Sequence, residues 1–247
     1  MKYKTFGKNL QVVALQLSAG EEVYGEAGAM VYMTGNMNME TKARGGIMKG
    51  LKRKLSGESF FMTEFTPAGG TGIVAFGGNC PGTIKTLKLD GNKQYMVQKE
   101  GFLCAESSID LDIGFQKKFG GAFFGGHGLI LQKMSGKGNL FIHAAGDFIE
   151  KDLKQGEVLK VSTGHSLAWE DSVDFDIERS GNVKSMLFSG EGMFVTTLRG
   201  PGKVWLQSMT LEQLASGLKP HLPKQSSSSS NNKSGFSKSG SISFGGK

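Results

Sequence analysis

A unit that occurs three times constrains what this chain can fold into more than any other feature. Its clearest copy runs from Gly164 to Ser208, opening at a glycine before apolar residues alternate with acids, GHSLAWEDSVDFDI. Residues 101–113 (GFLCAESSIDLDI) match that half, and residues 28–40 (GAMVYMTGNMNME) match it more loosely. The second half reads as a glycine-bearing hairpin. Residues 190–207 (GEGMFVTTLRGPGKVWLQ) align with 126–143 (GHGLILQKMSGKGNLFIH), and with GESFFMTEF at 57–65 followed by Gly72-Ile-Val-Ala-Phe76. Gly57, Gly126 and Gly190 follow the opening glycines of their copies by 29, 25 and 26 residues, a spacing regular enough to mark a repeat.

The pattern within each copy is that of strands. Val173, Phe175 and Ile177 alternate with Asp174 and Asp176, as Ile109, Leu111 and Ile113 alternate with Asp110 and Asp112. A period of two sends the apolar set to one face of a sheet and the carboxylates to the other. Gly57, Gly126, Gly138, Gly190 and Gly202 stand where the chain must turn or take a positive φ, and are read as structural. One unit alone is too small to bury a sufficient core, so three units must share one body. The fold class expected is all-β: three tandem units over about 10–90, 91–155 and 156–208 in one body spanning 1–223.

Thr210 to Lys219 reads as a short C-terminal helix, capped by Thr210 with Gln213 reciprocating, striped by Leu211, Leu214 and Leu218, and stopped by Pro220. From residue 224 onward the chain is rich in Ser, Asn and Gly, and that low-complexity tail is expected to be disordered.

Charge is localised. The net charge of +7 includes four lysines in the tail, and residues 42–54 hold six cations (Lys42, Arg44, Lys49, Lys52, Arg53, Lys54) without an acid. What remains of the body is formally acidic, which argues against a nucleic-acid-binding face spread over the sheets. Cys80 and Cys104 do not make a secreted disulfide framework, and Cys104, inside a strand pattern, reads as a small core residue. No apolar run reaches the roughly 20 residues that span a bilayer, and the N-terminus lacks the apolar core of a secretory signal. A cytoplasmic protein is expected, with a mitochondrial location left open.

Two of the three corresponding loops are elaborated. Residues 43–55 place Ile47, Met48, Leu51 and Leu55 on one helical face, with Lys49, Lys52, Arg53 and Lys54 over the rest. Residues 116–127 are aromatic and glycine-rich, with Phe119, Phe123 and Phe124. Those seven cationic and aromatic residues form the candidate interaction surface, against an anionic membrane surface or a protein partner. The bland reading is that both apolar stripes lie against the protein's own sheets or a neighbouring subunit.

No catalytic or metal-binding set emerges, and no cofactor is expected. His127, His143, His165 and His221 are dispersed without a ligand spacing, and His143 and His165 read as strand residues. The pairs Asp110/Asp112 and Asp174/Asp176 recur with the repeat, which is how a solvated strand face looks. The glycines of 120–128 lack the Lys and Ser/Thr of a phosphate loop.

At these motifs the chain resembles a known family. Gly57-Glu-Ser-Phe-Phe after GGIMKGLKR, together with Gly190-Glu-Gly, Arg199-Gly-Pro-Gly202 and Trp205-Leu-Gln-Ser208, is similar to the altered-inheritance-of-mitochondria (mitochondrial biogenesis) family over residues 1 to about 223. The resemblance implies a fold like that of the tryptophan RNA-binding attenuation protein, with three β-sandwich-like units in a pseudo-threefold arrangement and assembly as a homotrimer. No positions match that protein's tryptophan or RNA sites. The function expected is a non-enzymatic, self-assembling scaffold. Binding to a membrane or other anionic surface through 42–54 stands as the alternative, and RNA or small-ligand binding by fold analogy comes third.

Overall fold

The computed structural model describes residues 1–43, 61–117, 129–179 and 194–223. The strands in chain order are β1 (Lys2–Phe6), β2 (Val12–Ser18), β3 (Val23–Glu26), β4 (Met30–Met33), β5 (Met37–Ala43), β6 (Phe61–Pro67), β7 (Thr71–Gly77), β8 (Gly82–Asp90) and β9 (Tyr95–Gln98). There follow β10 (Phe102–Glu106), β11 (Ile109–Lys117), β12 (Leu129–Ala145), β13 (Phe148–Leu153), β14 (Val158–Ser162), β15 (Ser166–Glu170), β16 (Asp174–Arg179), β17 (Phe194–Arg199) and β18 (Gly202–Gln207). Among the described residues one α-helix, α1 (Leu211–Leu218), follows the last strand. The protein is predominantly β, as its alternating patterns require.

Those patterns translate directly into burial. In β2, Val13, Leu15 and Leu17 are buried while Gln16 and Ser18 face solvent. Val173 and Ile177 are buried between exposed Asp174 and Asp176. The matching run at 109–113 departs at its end, where Ile113 is exposed although it stays in register with Ile109 and Leu111. The ladder to β12 shifts just beyond it, between Ile113 and Phe115, where a bulge inserts one residue. The helix carries the expected capping box, Gln213 N–H donating to Thr210 Oγ1 at 3.1 Å and Thr210 N–H to Gln213 Oε1 at 3.0 Å. Its apolar stripe is only half covered, with Leu218 exposed.

Strands β1, β2, β7 and β4 form a four-stranded sheet in that order, and β14, β17 and β16 a three-stranded one. The remainder run in one array, β13-β18-β15-β9-β12-β10-β3-β6-β5, with β8 and β11 also paired to β12. Three hydrophobic clusters fill the spaces between sheets. One is built largely on Val13, Leu15, Leu17, Phe65, Val74 and Phe76 and borrows Leu103, Cys104 and Phe141. A second is built on Leu87, Leu89, Tyr95, Phe102, Leu140 and Ile142, and borrows Tyr24 and Met62 from earlier in the chain and Leu167, Ala168 and Trp205 from later. The third, on Leu153, Val161, Trp169, Ile177 and Leu198, borrows Met96, Leu129 and Leu131.

The expected glycine hairpins are not hairpins. β17 lies between β14 and β16, whereas β18 lies between β13 and β15, so the chain crosses from one sheet to another at residues 200–201. β6 and β7 part in the same way, and β12 passes straight through, pairing β9 and β11 over 129–136 and β8 and β10 over 137–145. Glycine serves the crossing because a side chain from the preceding turn occupies the place of its Cβ. At Gly202 (φ +143°) a Cβ would meet Ser172 Oγ at 2.6 Å and Val173 Cγ2 at 2.8 Å, and at Gly138 (φ +157°) it would meet Ser108 Oγ at 2.9 Å.

Beyond each glycine the next N–H is capped by a side chain. Lys203 N–H donates to Glu170 Oε2 at 3.0 Å, Asn139 N–H to Glu106 Oε1 at 3.2 Å, and Ile73 N–H, after Gly72, to Thr34 Oγ1 at 3.0 Å. Replacing Gly202 with Ala introduces both left-handed strain and that steric conflict, a cost of about 1–3 kcal/mol. Chemical denaturation is expected to show a G202A midpoint lowered accordingly, whereas G156A, with open space around its Cβ, carries only the strain of its φ of +76°.

Candidate interaction surface

The seven residues singled out for interaction, Lys49, Lys52, Arg53, Lys54, Phe119, Phe123 and Phe124, lie outside the described residues, as do Gly57, Gly126, Gly190 and the tail from 224. Their attachment points are defined. Residues 44–60 join the paired strands β5 and β6, residues 118–128 join β11 and β12, and residues 180–193 join β16 and β17. The first cation of the basic insert is already committed: Lys42 Nζ lies 2.5 Å from buried Glu64 and 3.2 Å from Glu40. Those two carboxylates hold the Lys42 ammonium above its ordinary range.

The other titratable groups take structural positions. Asp110, Asp112, Asp174 and Asp176 are exposed on strand faces. His143, in β12, is buried with its ring against Gly78 and Gly82, and burial holds its pKa down. His165 was expected in a strand, but it closes a single 3-10 turn, Thr163–His165, where Nδ1 lies 2.7 Å from the Gln207 carbonyl. His221 is exposed in a second such turn. Cys80 and Cys104 are both free and buried, and burial pushes both thiols up. Among the described residues no group of three or more His, Cys, Asp or Glu side chains is placed to hold a metal ion, and no helix is long and apolar enough to cross a membrane.

The surface that stands out is made of backbone. Three strands that lie between two partners are covered on both faces: Phe102 to Ala105 in β10, Ser166 to Trp169 in β15 and all of β9 are buried. β4 and β14 end their sheets, each with one edge open among the described residues. β4 is a continuous apolar run, Met30-Val-Tyr-Met33, yet Val31 is 55% and Tyr32 48% exposed. β14 likewise carries Val158 at 45% exposure. Continuous apolar strands belong in doubly covered positions, and an open apolar edge is a template for pairing. Pattern reading could locate the β4 strand but not its exposure, which depends on which strands find partners.

One half-buried acid sits at a strand junction. Glu26 ends β3, half-buried beside the 3-10 turn Lys99–Gly101, and loss of hydration raises its carboxyl to about 7, with Lys99 opposing and Glu100 reinforcing the rise. Because the folded pKa lies above the usual 4.5, the folded state binds more protons between those values, and stability falls as pH rises from about 4.5 to 7. Replacing Glu26 with Gln removes this dependence. Denaturation midpoints at pH 5 and pH 8 are expected to differ less in E26Q than in the parent, with E26Q the more stable at pH 8.

Comparison with known proteins agrees with the motifs. The chain matches the family described as Mitochondrial biogenesis AIM24 over residues 3–209. It is 34% identical over 232 residues to an uncharacterised protein of Streptococcus pyogenes serotype M6, covering 90% of this chain and 92% of that one. A crystal structure of a Streptococcus pyogenes protein superposes with a TM-score of 0.74 at 30% identity, covering 90% of this chain and 99% of its own. With the family profile spanning nearly the whole described body, this chain belongs to the Mitochondrial biogenesis AIM24 family.

Proposed function

We propose that the protein is a non-enzymatic scaffold, built from three β units in pseudo-threefold arrangement, that works by assembling with copies of itself. One observation carries the reading: β4 and β14, each without a described partner on one edge, present apolar residues to solvent, while their counterparts β9, β10 and β15, each between two neighbours, are almost wholly buried. Support for the repeat comes from recurrence in the ladders. β4 meets β7, β10 meets β12 and β15 meets β18, each with a register shift at the same place, Met30/Tyr32, Phe102/Cys104 and Ser166/Ala168.

Support for a non-catalytic role comes from the acids, which are spent on structure. Glu106 and Glu170 cap strand crossings, Glu64 holds Lys42, and Glu150 accepts from Trp205 Nε1 at 3.1 Å and pairs Lys85 at 2.6 Å. The trimer implied by the family resemblance is the assembly we favour. Binding to an anionic surface through 42–54 ranks second, since Lys42 is internally neutralised and the remaining cations lie outside the described residues. RNA or small-ligand binding ranks third, resting on analogy of fold alone.

Native mass spectrometry tests the reading. The expected spectrum is dominated by a closed oligomer, three chains of 26.4 kDa, without an added mass. A single chain at micromolar concentration overturns the assembly, and a discrete adduct on every subunit replaces the scaffold with a ligand-binding protein.

A further inference from the structure

We propose that β4 of one copy pairs edge to edge with β14 of the next, in a register already written twice inside the chain. The inference rests on the self-assembly reading and adds to it the contacting strands. Inside the chain, β3 joins β10 with Cys104 opposite Gly25, Ala105 opposite Tyr24 and Glu106 opposite Val23, and the ladder extends through Ser107 N–H to the Glu22 carbonyl at 3.0 Å. β9 joins β15 identically, with Ala168 opposite Val97, Trp169 opposite Met96 and Glu170 opposite Tyr95, extended by Asp171 N–H to the Gln94 carbonyl at 3.0 Å.

Each of these strands has a counterpart among the open edges. The shared register shift places Tyr32 of β4 level with Cys104 and Ala168. On the other side, β9 and β14 each run into a 3-10 turn, Lys99–Gly101 and Thr163–His165, which places Val161 level with Val97. The second ladders agree: Gly25 faces Thr63, Val97 faces Gln132 and Val161 faces Thr196. The chain therefore holds two complete junctions and the two separated halves of a third.

The half-junctions have the residues and backbone groups that the junction needs. Carrying the register over sets Tyr32 opposite Val161, Met33 opposite Lys160 and Thr34 opposite Leu159, with Gly35 N–H directed at the Val158 carbonyl. Thr34 N–H donates to the Ile73 carbonyl at 2.9 Å, so alternation turns the Met33 and Gly35 N–H groups toward the open edge. The exposed side chains of Val31 and Tyr32 would then receive the double cover that their buried counterparts Leu103 and Cys104 in β10 already have. Because β4 and β14 are different strands, the contact is head to tail and must close as a ring to be finite.

Tyr32 and Val161 fall at a non-hydrogen-bonded position, where Cβ atoms lie close enough for a disulfide. Copies carrying only Tyr32→Cys, mixed and reassembled with copies carrying only Val161→Cys, are expected to give under mild oxidation a two-chain product that neither variant gives alone. A second, independent variant is Val31→Lys, which places a charge on a residue already solvent-exposed in the single chain. It is expected to convert the oligomer to single chains while leaving the circular dichroism and melting temperature of the chain intact. An oligomer that persists in V31K, or that yields no mixed disulfide, overturns the edge pairing while leaving self-assembly standing. A Tyr32→Cys/Val161→Cys double variant that closes only within one chain overturns it as well, and absence of any oligomer in the parent protein overturns the assembly reading itself.

Discussion

Antiparallel pairing between very short strands joins the three hydrophobic clusters into one body. Only three register pairs connect β3 to β10 and three connect β9 to β15, yet the clusters on either side borrow residues across these seams. Tyr24 and Met62 enter the second cluster from one side, and Leu167, Ala168 and Trp205 enter it from the other. Hydrogen bonds set the register of the seam, and buried area supplies its strength, because a backbone bond exchanged with water contributes little net stability by itself. This division explains why the seam strands are apolar on both faces while β5, β8 and β16 alternate.

The second constraint is the passage between sheets. A chain that leaves one sheet and enters another at Gly202, or runs through both at Gly138, must keep its backbone donors satisfied while its direction changes. Glu170 and Glu106 meet that need by accepting from the first N–H beyond the glycine, and Thr34 does the same in the first stretch with a shorter arm. Glycine and acceptor act together: without a Cβ the turn side chains Ser108 and Ser172 approach the crossing closely. The carboxylates that sequence reading weighed for catalysis were the paired aspartates, which are exposed, whereas these glutamates perform structural work that a motif search passes over.

Much of this was legible in the sequence. Alternation at 173–177, the Thr210–Gln213 capping box and the burial of Cys104 all depend on local pattern, and local pattern reports them. What depends on distant partners was not legible. Glycine spaced two residues apart in Ser135-Gly-Lys-Gly138 and Gly200-Pro-Gly202 marks a tight turn and a sheet crossing equally well, and only the identity of the neighbouring strands separates the two. Ile113 keeps the alternating register of Ile109 and Leu111 and is nonetheless exposed, at the point where the strand meets a bulge. Met30-Val-Tyr-Met33 reads as an ordinary core strand, and its exposure appears only once every other strand has a partner.

Met33 and Gly35 offer the most direct test of whether these open edges are interfaces. Amide hydrogen exchange, resolved at those two residues over a dilution series, measures whether a partner covers their N–H groups. The account predicts slow exchange in the concentrated, assembled protein and near-unprotected rates once chains are separated. Fast exchange at every concentration would mean that β4 is a bare edge, and protection that survives in single chains would mean that the chain covers the edge by itself; either result contradicts the central claim.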